Sequence, residues 1–167
     1  KGNVWDAFYT TDRKETNEVV NRYSSEKFTF PSTNNYQDVA GMNIEHSFPK
    51  SWWGKTKNPA NSDIHHLYPS PSKDNSQKGN FPMAIVTTVK HNSGAGYDKV
   101  GTGTIEGKTQ ECWEPGDTWK GDFARSYMYM ATTYSNLTWV NVGLITNITG
   151  EYPTLKNWAS TLYRQWS

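Results

Sequence analysis

Three short stretches of the chain concentrate side chains able to do chemistry. The first runs Asn43-Ile44-Glu45-His46-Ser47-Phe48-Pro49-Lys50-Ser51-Trp52-Trp53-Gly54, the second Asp63-Ile64-His65-His66-Leu67-Tyr68-Pro69, and the third Asp74-Asn75-Ser76-Gln77-Lys78-Gly79-Asn80. Between them they hold three of the four histidines. A hard cation such as Mg²⁺ takes oxygen ligands and keeps several of its waters. Glu45 offers a carboxylate for that role and Asn75 an amide oxygen. A neutral imidazole, His46, can then deprotonate a water near neutral pH. A metal bound to a phosphate oxygen stabilises the charge that builds in the transition state. The combination points to metal-assisted hydrolysis of a phosphodiester.

These residues need elements to position them. Ile44–Phe48 and Ile64–Tyr68 each read as a short strand, and Ser72 or Asp74 can cap a short helix running toward Asn80. Two strands and a helix would then surround one point. Neighbouring strand residues point to opposite faces, so Glu45 and His46 must sit at a strand end or a bulge. Elsewhere, Thr10–Tyr23 is expected to be a helix capped by Thr11, with Val19, Val20 and Tyr23 inward. Met83–Val89 reads as a buried strand and residues 92–108 as a hairpin or loop. Apolar residues at helical spacing predict helices over Gly121–Tyr134 and from Pro153 to the end, the latter with Leu155, Trp158, Ala159, Leu162 and Trp166 on one face.

The quoted residues resemble the bacterial endonuclease I family, of the His-Me finger (ββα-metal) nucleases. Lys120-Gly121-Asp122-Phe123-Ala124-Arg125 followed by Tyr127-Met128-Tyr129-Met130 is similar to that family's later helix, so the resemblance covers roughly residues 40–135. It implies an α+β fold, one domain over residues 1–167 with a ββα-metal core at about 43–82 and additional packing helices. The implied activity is a DNA-cutting endonuclease, with RNA also in view, of little sequence specificity and leaving 5′-phosphate ends. His46 would be the general base, and Glu45 and Asn75 the ligands of Mg²⁺, with Mn²⁺ or Ca²⁺ as substitutes. The family often has Arg where this chain has Ile44 and Lys78, and Lys lacks the bidentate fork that Arg offers a phosphate.

Further residues are assigned by position in these stretches. Lys78 and Arg125 are candidates for phosphate contact, although Arg125 can equally pair with Asp122 or Glu114. Asp63, His65 and His66 are candidates to orient His46 or fix its tautomer, or serve only the local structure. Trp52 and Trp53 either stack on bases or pack in the core.

Composition narrows the classes. The chain has 167 residues, 14% aromatic, 20% charged and net charge +1, which is unlike a disordered chain. No apolar run approaches the roughly 20 residues of a membrane span. One cysteine, Cys112, excludes a disulfide framework within the chain and argues against a structural zinc site. Net charge near zero means that any phosphate-binding surface is a local patch. The start at Lys1 suits a mature, exported product, secreted or periplasmic, and a monomer is expected. Eight Trp and ten Tyr also suit a secreted carbohydrate-binding module, which would expose its Trp residues and show no metal-dependent catalysis. A catalytically inactive nucleic-acid-binding relative is the other alternative, and Glu45, His46 and Asn75 all being present speaks against it.

Overall fold

The computed structural model describes residues 3–31, 38–54, 57–140, 145–147 and 154–167. Helix α1 (Val4–Thr11) starts where Asn3 caps it, and the Asp6 carboxylate in turn accepts the Asn3 N–H at 2.8 Å. The helix expected over Thr10–Tyr23 does not form. Thr11 ends α1 instead of capping a new helix, its hydroxyl donating to the Ala7 carbonyl at 3.0 Å. Asn17 then turns the chain with φ +64°, and Arg13↔Val19 and Glu18↔Thr29 make single antiparallel bridges. The stiff β-branched side chains of Val19 and Val20 favour extended backbone. Val19 and Tyr23 are buried as expected, but from an extended segment.

Strands β1 (Met42–His46) and β2 (Leu67–Pro71) pair antiparallel, with Glu45 opposite Tyr68 and His46 opposite Leu67. Helix α2 (Ser72–Lys78) follows β2 without a loop. Both strands are displaced from their expected spans. β1 ends ahead of Pro49, which has no N–H for a ladder, and a 3₁₀ turn over Pro59–Ser62, capped by the Asn58 side chain, lies between the strands. Neither expected cap holds α2. The Ser72 hydroxyl donates to the Gly41 carbonyl at 3.0 Å, and Asp74 points inward to accept the Ser93 hydroxyl at 3.2 Å.

A second sheet runs in the order β3 (Thr88–Asn92), β4 (Lys99–Ile105), β5 (Lys108–Glu114), antiparallel throughout. Residues 92–108, expected to be a hairpin or loop, hold the end of β3, the connection to β4 and β4 itself. The β4–β5 hairpin runs on to Glu114, turned by Glu106 and Gly107 at φ +50° and +77°, the positive values that suit a two-residue hairpin turn. Met83–Val89, expected to be a strand, is regular only from Thr88. Met83 makes one parallel bridge to Trp113, and the Val86 N–H goes to the Glu114 carboxylate at 2.9 Å. This segment presses so tightly on β4 that a Cβ on Gly103 would lie 2.0 Å from the Ile85 carbonyl. The register of β3 slips between Val89 and His91, and all five of its residues are exposed at the free edge of the sheet.

Helices α3 (Lys120–Thr133) and α4 (Asn157–Trp166) pack on each other and complete the core. α3 matches its predicted span to one residue and buries Phe123, Tyr127 and Met130. Pro153 lies outside the described residues, and α4 begins at Asn157. Its Ala159 is buried as expected, and Tyr163 is buried with its hydroxyl on the Met83 carbonyl at 2.8 Å. Two-residue strands β6 (Thr146–Asn147) and β7 (Thr154–Leu155) pair nearby. The fold is mixed α+β. None of the eight Trp is exposed, Trp52 and Trp53 included, so the exposed Trp residues expected of a carbohydrate-binding module are not found. No helix among the described residues is long and apolar enough to cross a membrane.

Candidate active site

Glu45 and His46 occupy the last two positions of β1, the strand end expected of them, but both stay in regular register with β2 and no bulge turns them to one side. The alternation of the strand sends their side chains apart. Glu45 turns into the protein, 5% exposed, where its Oε1 accepts the Lys78 ammonium at 2.7 Å. Burial pushes its carboxyl above the ordinary value, opposed by Lys78 and by the backbone N–H of His46. Asn75 precedes Lys78 by three residues on α2, so the two lie on one face of the helix. The reach of Lys78 to Glu45 therefore puts Asn75 one turn away on the same side.

Lys78 is not the surface cation expected of a phosphate contact. It is 0% exposed, its ammonium lying 5.1 Å from the centre of the Trp113 ring and bonded to Glu45. The reason is its place in the last turn of α2, on the face that packs against β1 and β2. A lysine there serves the carboxylate and not the solvent.

His46 turns the other way, toward the 3₁₀ turn. Its Nε2 lies 3.1 Å from the Asn61 carbonyl oxygen. A carbonyl only accepts, so Nε2 carries the proton and Nδ1 is left with its lone pair. Burial pushes the imidazole down to about 4, the Asn61 carbonyl opposing and the Lys50 and Lys78 charges reinforcing the shift. The ring is neutral at neutral pH and able to accept a proton. Lys50 is exposed, so it is the solvent-facing cation of the two.

Of the three residues proposed to orient His46, the structure brings only His66 beside it. The two rings meet edge to face at 5.5 Å, and the buried His66 donates from Nε2 to the Ala60 carbonyl at 2.7 Å. Burial holds His66 near 4 as well. Consecutive carbonyls of one short turn, Ala60 and Asn61, thus fix two imidazoles. The Ala60 carbonyl also accepts the Asp63 N–H at 3.4 Å, using both of the lone pairs a carbonyl oxygen offers. Asp63 and His65 face away, toward α3. Asp63 accepts the Tyr129 and Tyr134 hydroxyls at 2.8 and 2.6 Å and the His65 ring Nδ1 at 2.8 Å. Burial alone would raise this carboxyl, but the hydrogen bonds from Tyr134, His65 and Tyr129 outweigh it and hold it at about 2. Arg125 is exposed and bonded to Asp122 at 2.5 Å.

Sequence reasoning missed the Asn61 carbonyl, because a backbone acceptor leaves no signature in residue types. It also missed Tyr127, whose buried hydroxyl donates to the Ser47 carbonyl at 2.7 Å and ties α3 to the chain just after His46. The helical spacing of Tyr127 marked it as core, which it is; nothing marked its hydroxyl.

Glu45 and Asn75 supply the carboxylate and amide oxygens that suit a hard divalent cation. The ammonium on Glu45 shows that the carboxylate takes a cationic partner there. Among the described residues no group of three His, Cys, Asp or Glu could hold a metal, so an ion at Glu45 would draw on the amide and on water for its remaining ligands.

The chain is 35% identical over 135 residues to the extracellular ribonuclease of Bacillus subtilis (strain 168), covering 78% of this chain and 42% of that protein. It is 34% identical over 135 residues to the extracellular ribonuclease of Bacillus amyloliquefaciens, with the same coverage. The match thus spans less than half the length of these curated relatives. The sequence profile of the Endonuclease I family matches residues 1–167, from one end of the chain to the other. With Glu45 and His46 closing one strand and Asn75 on the helix that follows its partner, the chain belongs to the endonuclease I family.

Proposed function

We propose that the chain is a metal-dependent endonuclease that hydrolyses phosphodiester bonds of DNA and RNA with little sequence specificity. The observation that carries this reading is the hydrogen bond from His46 Nε2–H to the Asn61 carbonyl, which commits Nδ1 of a neutral imidazole to accepting a proton. In the proposed reaction Nδ1 takes a proton from water as its oxygen attacks phosphorus. The bond from phosphorus to the 3′ oxygen breaks, and that oxygen takes a proton from solvent water, leaving a 3′-hydroxyl and a 5′-phosphate. Glu45 and Asn75 would hold a Mg²⁺ ion, or Mn²⁺ or Ca²⁺ in its place, whose charge when bound offsets that of the transition state. The exposed Lys50 lies on the side of His46 and supplies a cation for the incoming strand. Lys78 keeps Glu45 in place as a positioning residue.

A water nucleophile needs no 2′-hydroxyl, so nothing in this chemistry restricts the enzyme to one sugar. The two curated relatives are both called ribonucleases, which supports RNA beside DNA as substrate. Their description as extracellular supports export of this chain.

The test is cleavage of supercoiled plasmid and of RNA, with Mg²⁺ and with excess EDTA, beside His46→Ala. The expected outcome is nicking that needs the metal and falls about 100- to 10,000-fold in the variant, with thermal stability nearly unchanged. His46→Ala cutting as fast as the parent chain overturns the assignment.

A further inference from the structure

A pocket of about 430 Å³ opens between the residues that lead into β2 and the face of α3, and no part of the proposed hydrolysis uses it. We propose that it is a nucleobase subsite, holding an unstacked base next to the phosphodiester being cut. The inference rests on the nuclease reading above. It goes further in naming how the strand is gripped and which form of nucleic acid is preferred.

The pocket adjoins the site through the sheet. Its Tyr68 is the cross-strand partner of Glu45, and paired residues of antiparallel strands lie about 5 Å apart at Cα. Tyr68 itself is buried, with the Arg22 guanidinium 4.7 Å over its ring, so it marks the nearness of the pocket to Glu45 while the stacking surface lies further out. One wall is aromatic and rigid. The His65 ring stacks on Tyr129 with centroids 4.6 Å apart, and Asp63 pins both rings through His65 Nδ1 and the Tyr129 hydroxyl. The rim carries Ile64, 42% exposed in an otherwise polar stretch. The exposed His65 ring, 63% accessible at its side chain, offers a base a surface to stack on, with the Ile64 side chain beside it.

The charges in the pocket argue for a base over a phosphate. Its two guanidiniums are already matched, since Asp122 binds Arg125 at 2.5 Å and Arg22 at 3.5 Å, and Arg22 also pairs with Asp12. A phosphate would gain no net attraction and would meet the Asp122 carboxylate. A neutral group with both donors and acceptors on its edge meets both kinds of partner, the exposed N–H groups of Arg125 and the carboxylate beside them. Volume agrees, because an open depression of about 430 Å³ leaves room for one base to lie on its wall.

A base inside a duplex is stacked and paired, and must leave its stack to enter. Single strands and loops should therefore be cut faster than duplex of the same sequence. The experiment uses the full chain with Mg²⁺ and single-stranded oligonucleotides carrying one abasic residue at successive positions, with cut sites mapped. For the parent chain we expect an abasic residue at one fixed offset from the cut to slow that cut about tenfold. For Ile64→Ala, and separately Arg125→Ala, the intact strand should be cut more slowly through a raised KM, and the abasic penalty should shrink toward none. Cutting by the parent chain that ignores abasic position, or variants that keep the full penalty, overturns the subsite and leaves the nuclease reading standing. A parent chain that cuts no intact strand overturns both.

Discussion

Lys78 and Glu45 form the buried pair on which the candidate metal centre depends. A buried ion pair contributes little compared with apolar packing, but breaking it by removing one partner costs about 3–5 kcal/mol, because the other charge is left alone in the interior. Lys78→Met should lose stability in that range by urea unfolding without metal, and the double variant with Glu45→Gln should recover most of the loss. Additive losses in the double variant would show that the two groups do not interact. Asp63 is a second case at this scale. Its carboxyl titrates at about 2 in the fold against an ordinary value of 3.8, so its stabilisation is complete above that ordinary value and is lost as the pH falls through 2. Asp63→Asn should be less stable than the parent chain by about 2 kcal/mol at pH 7, and the gap should close between pH 4 and pH 2. A gap that stays constant in acid would mean that the charge of Asp63 contributes nothing.

Elements carry these residues, and how much of each was legible in the sequence follows from where its information lies. α3 was readable because Phe123, Tyr127 and Met130 repeat at helical spacing and all three reach the core. The order strand, strand, helix around Glu45 and Asn75 was readable from residue types and turn signals, though each strand is displaced by two or three residues. Thr10–Tyr23 misled because Val19, Val20 and Tyr23 fit helical spacing, while the N–H groups of Val19 and Val20 go to the Phe28 and Asp12 carbonyls, partners that no local pattern names. The burial of Lys78 was equally hidden, since it follows from which face of α2 meets β1. Close approach is another tertiary fact. Gly103 reads as a loop residue in a Gly- and Thr-rich stretch, yet it sits inside β4 with the Ile85 carbonyl in the space of a side chain. Gly103→Ala should cost about 3 kcal/mol in stability, measured by thermal unfolding, whereas Gly107→Ala should cost less. At Gly107 nothing crowds a Cβ, and only the positive φ is unfavourable. Equal losses at the two positions would refute the packing account.

For the whole molecule the governing quantity is a net charge of +1 spread over 167 residues. Several of its cations are already committed, Lys78 to Glu45, Arg22 to Asp12 and Arg125 to Asp122. With 17 Lys and Arg against 16 Asp and Glu, the molecule has little net positive charge with which to displace counterions from a nucleic acid. Binding of a single strand by His46→Ala should fall with salt at a slope of about −2 on logarithmic axes, the value for two or three phosphate contacts. A slope several times steeper would reveal a basic track that the ion pairs conceal. The edge strand β3 has a consequence of another kind. An unpaired strand edge is a template on which a strand from a neighbouring molecule can add, and a run of such additions builds a fibre. Here the slip between Val89 and His91 interrupts the row of outward amides, and Lys90 at the slip meets Glu111 in an ion pair on the open face of the sheet. The edge thus offers an incoming strand a broken register and a charge, both of which oppose the addition of a strand there.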